Sequence, residues 1–209
     1  PVLTGLEKLS PTSDDLKALC AAFGTTSAAP MLHVRGHTPE GDLPIPIHTK
    51  RFDITVADLV TLWQNFNAAG NQIDLVAIGS PHASLSECRK FAQLLGNKSC
   101  HPATKTIVTV GRKTLADMTA EGIFDRLQGA GVQVIPDICW CSITEPVFPT
   151  TALVLMTNSG KYAHYGKGLT GRDVRFGSLE DCAGAALGGR VRAGLPWWLL
   201  PLNGEADPR

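Results

Sequence analysis

The residues between Asp137 and Gly177 include the most reactive side chains of the sequence, and we expect this stretch to form part of an enzyme active site. Its first motif is Cys139-Trp140-Cys141, where a thiolate could bind a soft metal ion or an iron–sulfur cluster. In a strand, side chains two residues apart share a face without the turn that chelation usually needs. We therefore expect one cysteine to reach the site and the other to pack in the core, with a purely structural pair as the alternative.

The second motif is Asn158-Ser159-Gly160-Lys161, which combines a hydroxyl, a cation and the exposed backbone N–H groups of a glycine-containing turn. This combination suits a carboxylate or a phosphate. The spacing of a nucleotide-binding P-loop is absent, and an ordinary turn with a solvated lysine is the alternative interpretation. Tyr162, His164 and Tyr165 follow and could line the wall of a pocket.

Two earlier loops contain histidines and a carboxylate. His82 follows Gly79-Ser80-Pro81 and could act as a general acid or base, or orient a ligand, with a hydrogen-bonded structural role as the alternative. His37 and Glu40 flank Thr38-Pro39, where contact with a substrate competes with the capping of a turn. Both loops follow strand candidates, so both are candidate parts of the same site.

The hydrophobic pattern predicts helices that alternate with short β-rich strands. The predicted helices cover residues 14–24, 56–69, 85–95, 114–127 and 182–187, and the predicted strands cover 31–34, 73–78, 106–110, 132–135, 152–156 and 174–176. Such alternation indicates an α/β fold in layers, with a mostly parallel sheet and flanking helices. Ligands bind beyond the carboxyl ends of the strands in open sheets of this type. We therefore expect the candidate loops to share one edge of the sheet.

Composition and missing motifs argue against several classes of protein. Nineteen basic and nineteen acidic residues cancel, so there is no electrostatic argument for nucleic acid or an anionic membrane as a partner. No apolar run approaches the roughly 20 residues that span a bilayer, and a cytoplasmic protein is the simplest expectation. The motifs G-x-S-x-G, H-E-x-x-H and C-x-x-C are absent, and no G-x-G-x-x-G directly follows a strand candidate. This disfavours a serine hydrolase, a zinc site and a dinucleotide cofactor. The six cysteines do not indicate a disulfide scaffold, and we expect Cys20, Cys88 and Cys182 to be small core residues.

Five stretches that occur in one order along the chain carry a resemblance to a known family. They are HVRGHTPE (33–40), GSPHASLSE (79–87), DIC (137–139), NSGKYAHY (158–165) and RFGSLEDC (175–182). Together they resemble the large catalytic domain of aconitase X, over nearly the whole chain. The resemblance implies an iron–sulfur dehydratase with an aconitase-like fold. Known branches of the family dehydrate cis-3-hydroxy-L-proline in bacteria or phosphomevalonate in archaea, where the enzyme has two subunits. We expect the hydroxyproline reaction, with phosphomevalonate as the alternative.

The resemblance also implies roles for individual residues. Cys139 falls on a cysteine that resembles a cluster ligand, and Ser159 and Lys161 lie in a turn similar to one that supplies an anion site and a base. Ser80 stands where many relatives carry cysteine in a Gly-Cys-Pro-His motif, a departure that favours a 2Fe-2S over a 4Fe-4S cluster. The resulting prediction places catalysis on Ser159, Lys161 and His82, substrate binding on Thr38, Glu40, Ser80 and Lys161, and the metal on Cys139.

The same resemblance implies an arrangement of domains. Residues 1–202 are expected to be a C-terminal portion of the catalytic domain, and residues 203–209 a polar tail. The partners of this portion would be the remainder of the catalytic domain and a small swivelling domain, which would complete the site. Two other classes stay open. One is a non-catalytic binding or assembly subunit that uses the same loops, and the other is a cofactor-free isomerase or lyase that uses His82 and Lys161.

Overall fold

A computed structural model describes residues 1–200, so the polar tail expected at 203–209 lies outside the described residues. The strands and helices are, in chain order, β1 (Val2–Leu3), α1 (Ser13–Thr26), β2 (His33–Val34), α2 (Val56–Phe66), β3 (Leu75–Ala83), α3 (Leu85–Leu95), β4 (Lys105–Val110), α4 (Arg112–Ala120), α5 (Ile123–Gly129), β5 (Val132–Pro136), β6 (Val154–Thr157), α6 (Gly160–Thr170), β7 (Asp173–Phe176) and α7 (Leu179–Gly188). Short 3-10 helices cover Trp140–Ser142 and Trp197–Leu199.

A five-stranded sheet with the strand order β5-β4-β3-β6-β7 forms the centre of the structure. Every neighbouring pair of strands in it is parallel, so the chain must cross over between strands and places helices on both faces. β1 and β2 form a separate parallel pair. The predicted α/β fold with a parallel sheet and flanking helices is confirmed.

The two faces of the large sheet carry separate apolar cores. One core packs against α3, α4, α5 and α7 and includes Phe91, Met118 and Leu127. The other lies beneath α6 and the chain that follows β5, and it includes Trp140 and Tyr162. By contrast, α1 and α2 contain no buried residue; α1 packs against α6, and α2 packs against β7. Within residues 1–200, no helix is long and apolar enough to cross a membrane.

Capping residues set the start of four helices. A Thr or Ser hydroxyl accepts a hydrogen bond from the backbone three residues later, where an Asp or Glu carboxylate bonds back, in the pairs Thr12/Asp15, Thr55/Asp58, Ser84/Glu87 and Ser178/Asp181. The cap at Ser84 comes directly after β3. The start of α3 therefore lies at the edge of the sheet where the candidate loops end.

Three local predictions are wrong. The helix predicted at 114–127 is two helices, because Gly122 takes a left-handed conformation with φ of 70° between α4 and α5. The chain from Gly160 onward forms the helix α6, which was not predicted because its glycines, tyrosines and histidine give no apolar periodicity. Cys20 is exposed, whereas Cys88 and Cys182 are buried as expected.

Candidate active site

The carboxyl end of β3 turns beside β4 at Gly79, where φ is 104°. A Cβ at this position would collide with the Thr109 carbonyl oxygen, so the turn requires glycine. The Thr109 hydroxyl donates a hydrogen bond of 2.7 Å to the Gly79 carbonyl oxygen. This turn brings Ser80 and His82 to the edge of the sheet where the neighbouring parallel strands also end.

Ser159 joins the end of β3 to the start of α6. Its hydroxyl donates a hydrogen bond to the Ser80 carbonyl oxygen and accepts one of 3.0 Å from the Tyr162 N–H. The Ser80 hydroxyl lies 3.4 Å from the Tyr165 hydroxyl, and both serines are buried. Ser159 is therefore the N-cap of α6, and the structure brings together two of the predicted site residues.

Lys161 lies in the first turn of α6, directly after this cap. The first turn of an α-helix leaves backbone N–H groups without partners inside the helix. Lys161 therefore lies in a turn that also offers N–H donors free of helical partners. Among residues 1–200, the Lys161 ammonium forms no ion pair. A cation and free N–H donors at a helix start are the features that favour anion binding, and this role of Lys161 stays a prediction.

Cys139 and Cys141 lie on either side of a sharp turn at Trp140. The indole of Trp140 is buried, and its Nε1 donates a hydrogen bond of 2.8 Å to the Ile78 carbonyl oxygen. The two sulfurs are 3.0 Å apart, with Cys139 half-buried and Cys141 exposed. The expectation that one cysteine would pack in the core is wrong, because the turn directs Trp140 inward instead. Both thiols are left at the edge of the sheet.

The contacts of Cys141 at this edge make its thiol more acidic than that of an ordinary cysteine, because they lower its pKa. Its hydrogen bond with Cys139 lowers the pKa of Cys141, and the Ser142 hydroxyl and the charge of Lys161 lower it further. Burial has the opposite effect elsewhere in the chain, where it raises the pKa of Cys88 to about 12. A low thiol pKa favours the thiolate, which is the form that binds metals and attacks electrophiles.

An ion pair fixes the start of the cysteine loop. Asp137 has a left-handed backbone with φ of 58°, and its N–H donates a hydrogen bond of 2.8 Å to the Val110 carbonyl oxygen. Its carboxylate accepts hydrogen bonds from the Arg112 N–H at 3.0 Å and from Arg112 Nε at 2.6 Å. The Arg112 side chain holds the pKa of Asp137 below its usual range. The sequence interpretation gave Arg112 no role, although its position directly after β4 was a signal for one.

His82 contacts the same loop from the β3 side. Its Nε2 lies 3.0 Å from the Ile138 carbonyl oxygen. Since a carbonyl oxygen can only accept, Nε2 carries the proton and Nδ1 is the nitrogen left to accept or release one. The His82 carbonyl oxygen accepts a hydrogen bond of 3.2 Å from Lys17 in α1. His82 is thereby held at the edge that also carries Ser80, Cys139 and Lys161.

Thr38 and Glu40 lie in the loop after β2, outside this cluster. The Thr38 hydroxyl accepts a hydrogen bond of 2.8 Å from the Val34 N–H and donates one of 3.2 Å to the Val34 carbonyl oxygen, so both of its bonds stabilise a local turn. Glu40 is exposed with φ of 64°. In the described part of the chain, no hydrogen bond or ion pair joins these two residues to the loops after β3–β6. Their substrate-binding role stays a prediction.

Two clefts open at the opposite edge of the sheet, at the amino ends of the strands. Their volumes are about 310 and 460 Å³, and His101 and Thr104 line both. Neither cleft includes any of the predicted site residues. These two clefts therefore lie at the edge of the sheet opposite to the candidate site residues.

Family models match both parts of the chain. Residues 1–64 match the model of the aconitase X second domain, and residues 73–188 match that of the aconitase X third domain. The chain belongs to the aconitase X family. The prediction from the five motifs is confirmed, and the large sheet with all of the clustered site residues is the third domain of aconitase X.

Individual relatives support the same assignment. The chain is 42% identical to cis-3-hydroxy-L-proline dehydratase of Hypocrea jecorina and 44% identical to that of Pseudomonas aeruginosa, over 95% of the chain and 35% of each relative. It is 30% identical to the phosphomevalonate dehydratase large subunit of Methanocaldococcus jannaschii, over 87% of the chain and 44% of that subunit. The crystal structure of holo-form aconitase X from Thermococcus kodakaraensis superposes with a TM-score of 0.76 at 30% identity, covering 86% of this chain and 46% of that one. The chain thus spans between a third and a half of the length of these relatives.

The aconitase X fold raises the question of an iron–sulfur cluster, which is held by several cysteine thiolates. Cys139 and Cys141 are ligands of the correct chemical type and lie together at the candidate edge. Within residues 1–200, however, no group of three or more His, Cys, Asp or Glu side chains could hold a metal ion. The described residues therefore fit part of a cluster site, and any further ligands would have to come from outside them.

Proposed function

We propose that this aconitase X chain is part of a hydro-lyase that removes water from cis-3-hydroxy-L-proline to give a pyrroline-2-carboxylate. The observation that carries the proposal is the higher identity to two hydroxyproline dehydratases, 42% and 44%, than to a phosphomevalonate dehydratase subunit, 30%. The geometry supports the same chemistry, because one edge of the sheet collects an anion receptor, a histidine and two thiols.

The substrate carboxylate would bind at the start of α6. Lys161 is a cation at the positive end of the helix dipole, an arrangement that a bound anion stabilises. The free N–H groups of the first turn would donate to the same carboxylate. Dehydration passes negative charge from the α-carbon onto this carboxylate, so donors aimed there stabilise the transition state more than the ground state.

Proton transfer would fall to His82 and Ser159. The Nδ1 of His82 is free to accept a proton, because Nε2 is engaged with the Ile138 carbonyl oxygen. The Ser159 oxygen already accepts the Tyr162 N–H, which would stabilise negative charge on that oxygen. A base must come within about 3 Å of the α-proton, so His82 and Ser159 are rival candidates for the base.

The proposed cofactor is an iron–sulfur cluster, 2Fe-2S rather than 4Fe-4S, with Cys139 as a ligand. When bound, its iron would act as a Lewis acid on the departing hydroxyl. The presence of Ser80 in place of the cysteine expected from the family motif supports a smaller set of ligands. All six cysteines are free thiols, which suits a reducing compartment, and we retain the cytoplasm as the proposed location.

The proposed partners are the remainder of the catalytic domain and a small swivelling domain. The chain covers 35% of each hydroxyproline dehydratase, and the remaining length of those relatives supports the existence of such further parts. Such parts would supply the missing ligands and cover the open edge of the sheet. Thr38 and Glu40 stay candidate substrate contacts in that assembly.

The test is a substrate comparison on the intact protein, purified anaerobically. We expect turnover of cis-3-hydroxy-L-proline and little or none of phosphomevalonate. Lys161→Met should raise the KM by about tenfold or more, the effect of losing a charged hydrogen bond. Lys167→Met is the matched control, because Lys167 lies in the same helix and pairs with Asp173 at 2.7 Å. A preference for phosphomevalonate would favour that substrate, and a cluster-loaded protein that turns over neither would favour the assembly subunit.

A further inference from the structure

The turn at 139–141 holds two thiols in a defined position on the sheet. Buried Trp140 and its hydrogen bond to Ile78 fix the centre of the turn. The Ser142 N–H donates to the Cys139 carbonyl oxygen at 2.8 Å, which closes the turn on itself. The paired Asp137 and Arg112 fix its start. The two sulfurs are therefore presented by a backbone that is held on both sides.

We propose that Cys141 is a metal ligand beside Cys139, so that the turn chelates one thiophilic metal ion through both sulfurs. This inference deepens the proposed function, on which it rests for the identity of the natural metal. The family resemblance assigned Cys139 alone. What adds Cys141 is the distance of 3.0 Å between the two sulfurs and their shared position at the edge of the sheet.

The distance between the sulfurs suits chelation after a small adjustment. Metal–sulfur bonds of about 2.3 Å in a tetrahedral site place neighbouring sulfurs about 3.8 Å apart. The observed separation of 3.0 Å is shorter, so each sulfur would move by less than half an ångström. Cys141 is exposed and Cys139 is half-buried, so rotation of the side chains can supply this movement without repacking the core.

The surroundings of the pair also differ from those of the structural cysteines. Cys88 and Cys182 are buried among apolar side chains in the core. Cys139 and Cys141 instead share an edge with His82 and Lys161, and their outward sides are open. Two thiolates leave further coordination positions free on a four-coordinate metal, which a partner domain and a substrate can occupy.

The experiment is a Co²⁺ titration of the intact protein after removal of its metal, under anaerobic conditions. Cobalt bound by thiolate gives a near-ultraviolet charge-transfer band whose intensity rises with the number of sulfur ligands. We expect Cys141→Ser and Cys139→Ser to lose equal shares of this band and the double variant to lose both. Each single variant should bind Co²⁺ at least tenfold more weakly, since even outer-shell partners contribute about that much. Cys20→Ser, an exposed cysteine on α1, is the matched control and should change nothing.

An unchanged band in Cys141→Ser, with all thiolate intensity lost in Cys139→Ser, would overturn the inference. Cys141→Ala serves as a second variant, and an unchanged melting temperature would show that the fold is intact. Turnover of hydroxyproline is measured separately on the metal-loaded enzyme. If that turnover is absent while both sulfurs contribute to the band, the proposed function fails and the two-thiolate site stands.

Discussion

The second and third domains of this aconitase X chain are stabilised in different ways. The strands of the third domain bury most of their apolar side chains, and Leu75 and Leu155 are completely inaccessible. In the second domain, α1 and α2 bury no residue completely, and Ile47 is 97% exposed. The third domain therefore has its own core, whereas the second domain depends on contacts with its surroundings.

The contacts between the two parts are partly polar and close to the candidate site. Lys17 in α1 pairs with Glu87 at 2.6 Å and donates to the His82 carbonyl oxygen. Asp14 accepts a hydrogen bond of 2.7 Å from the Ser84 hydroxyl. On the other side, Arg175 of β7 donates to the carbonyl oxygens of residues 67 and 69, just after α2. The chain that precedes the third domain is thus attached beside the central strand β3 and at the outer strand β7.

A matched pair of leucine substitutions should give the largest effect among the tests of this contrast. Leu75→Ala should lower the free energy of unfolding of the intact protein by about 2–5 kcal/mol, because it leaves a cavity in a closed core. Leu62→Ala in α2, where the side chain is 48% exposed, should change it by no more than about 0.5 kcal/mol. Urea denaturation followed by circular dichroism measures both. Equal losses would contradict the contrast and show that another part of the protein covers α2.

Sequence patterns also predicted the third domain best, because burial of its strands in a core leaves apolar runs in the sequence. Apolar runs such as 73–78 and 106–110 are buried on both faces, and the Ser84/Glu87 cap marks the next helix locally. Helix α6 was missed because its stability comes from the Ser159 cap and the burial of Tyr162, which give no apolar period.

The candidate site was only partly predictable. Its location followed from the parallel sheet, because all loops after the strands meet at one edge. The meeting of the two thiols depends on the turn at Trp140 and on the left-handed Asp137, neither of which a C-x-C spacing specifies. Nor does the spacing of Thr38 and Glu40 reveal that the Thr38 hydroxyl is used by Val34.

Ser159→Ala tests the junction between the domains with an intermediate effect. Ser159 caps α6, the helix on which α1 packs, and a Cβ at the adjacent Gly160 would lie 3.6 Å from Ala22. The substitution leaves the buried Tyr162 N–H without its acceptor and should cost about 1–2 kcal/mol of unfolding free energy. Ser178→Ala, which removes an exposed cap on α7, is the control and should cost about 0.5–1 kcal/mol. If the two losses are equal, Ser159 is an ordinary cap with no added role at the junction.

The smallest effect should appear as a pH dependence at Lys17. Burial opposes its charge, but Glu87 and Asp14 outweigh this and raise the pKa of Lys17 above its ordinary 10.5. The resulting stabilisation is fully present below pH 10.5 and is lost as the pH rises through the raised value. For Asp14, burial likewise opposes the charge, but the hydrogen bonds from Ser84 and Lys17 lower its pKa below the ordinary 3.8. That contribution is present above pH 3.8 and is lost as the pH falls through the lowered value.

Lys17→Met should therefore lower the unfolding free energy at pH 7 by about 1 kcal/mol or less, as expected for a partly exposed pair. Above pH 10.5, the difference between the variant and the parent should begin to shrink, because the parent loses the same charge. Melting temperatures measured between pH 3 and pH 11 give this profile. Lys98→Met is the control, because Lys98 is exposed and has no ion pair among residues 1–200. Its melting temperature should follow the pH profile of the parent in parallel at every pH. A Lys17→Met curve that also stays parallel would mean that packing of α1 on α6, and not its polar contacts, holds the second domain against the third.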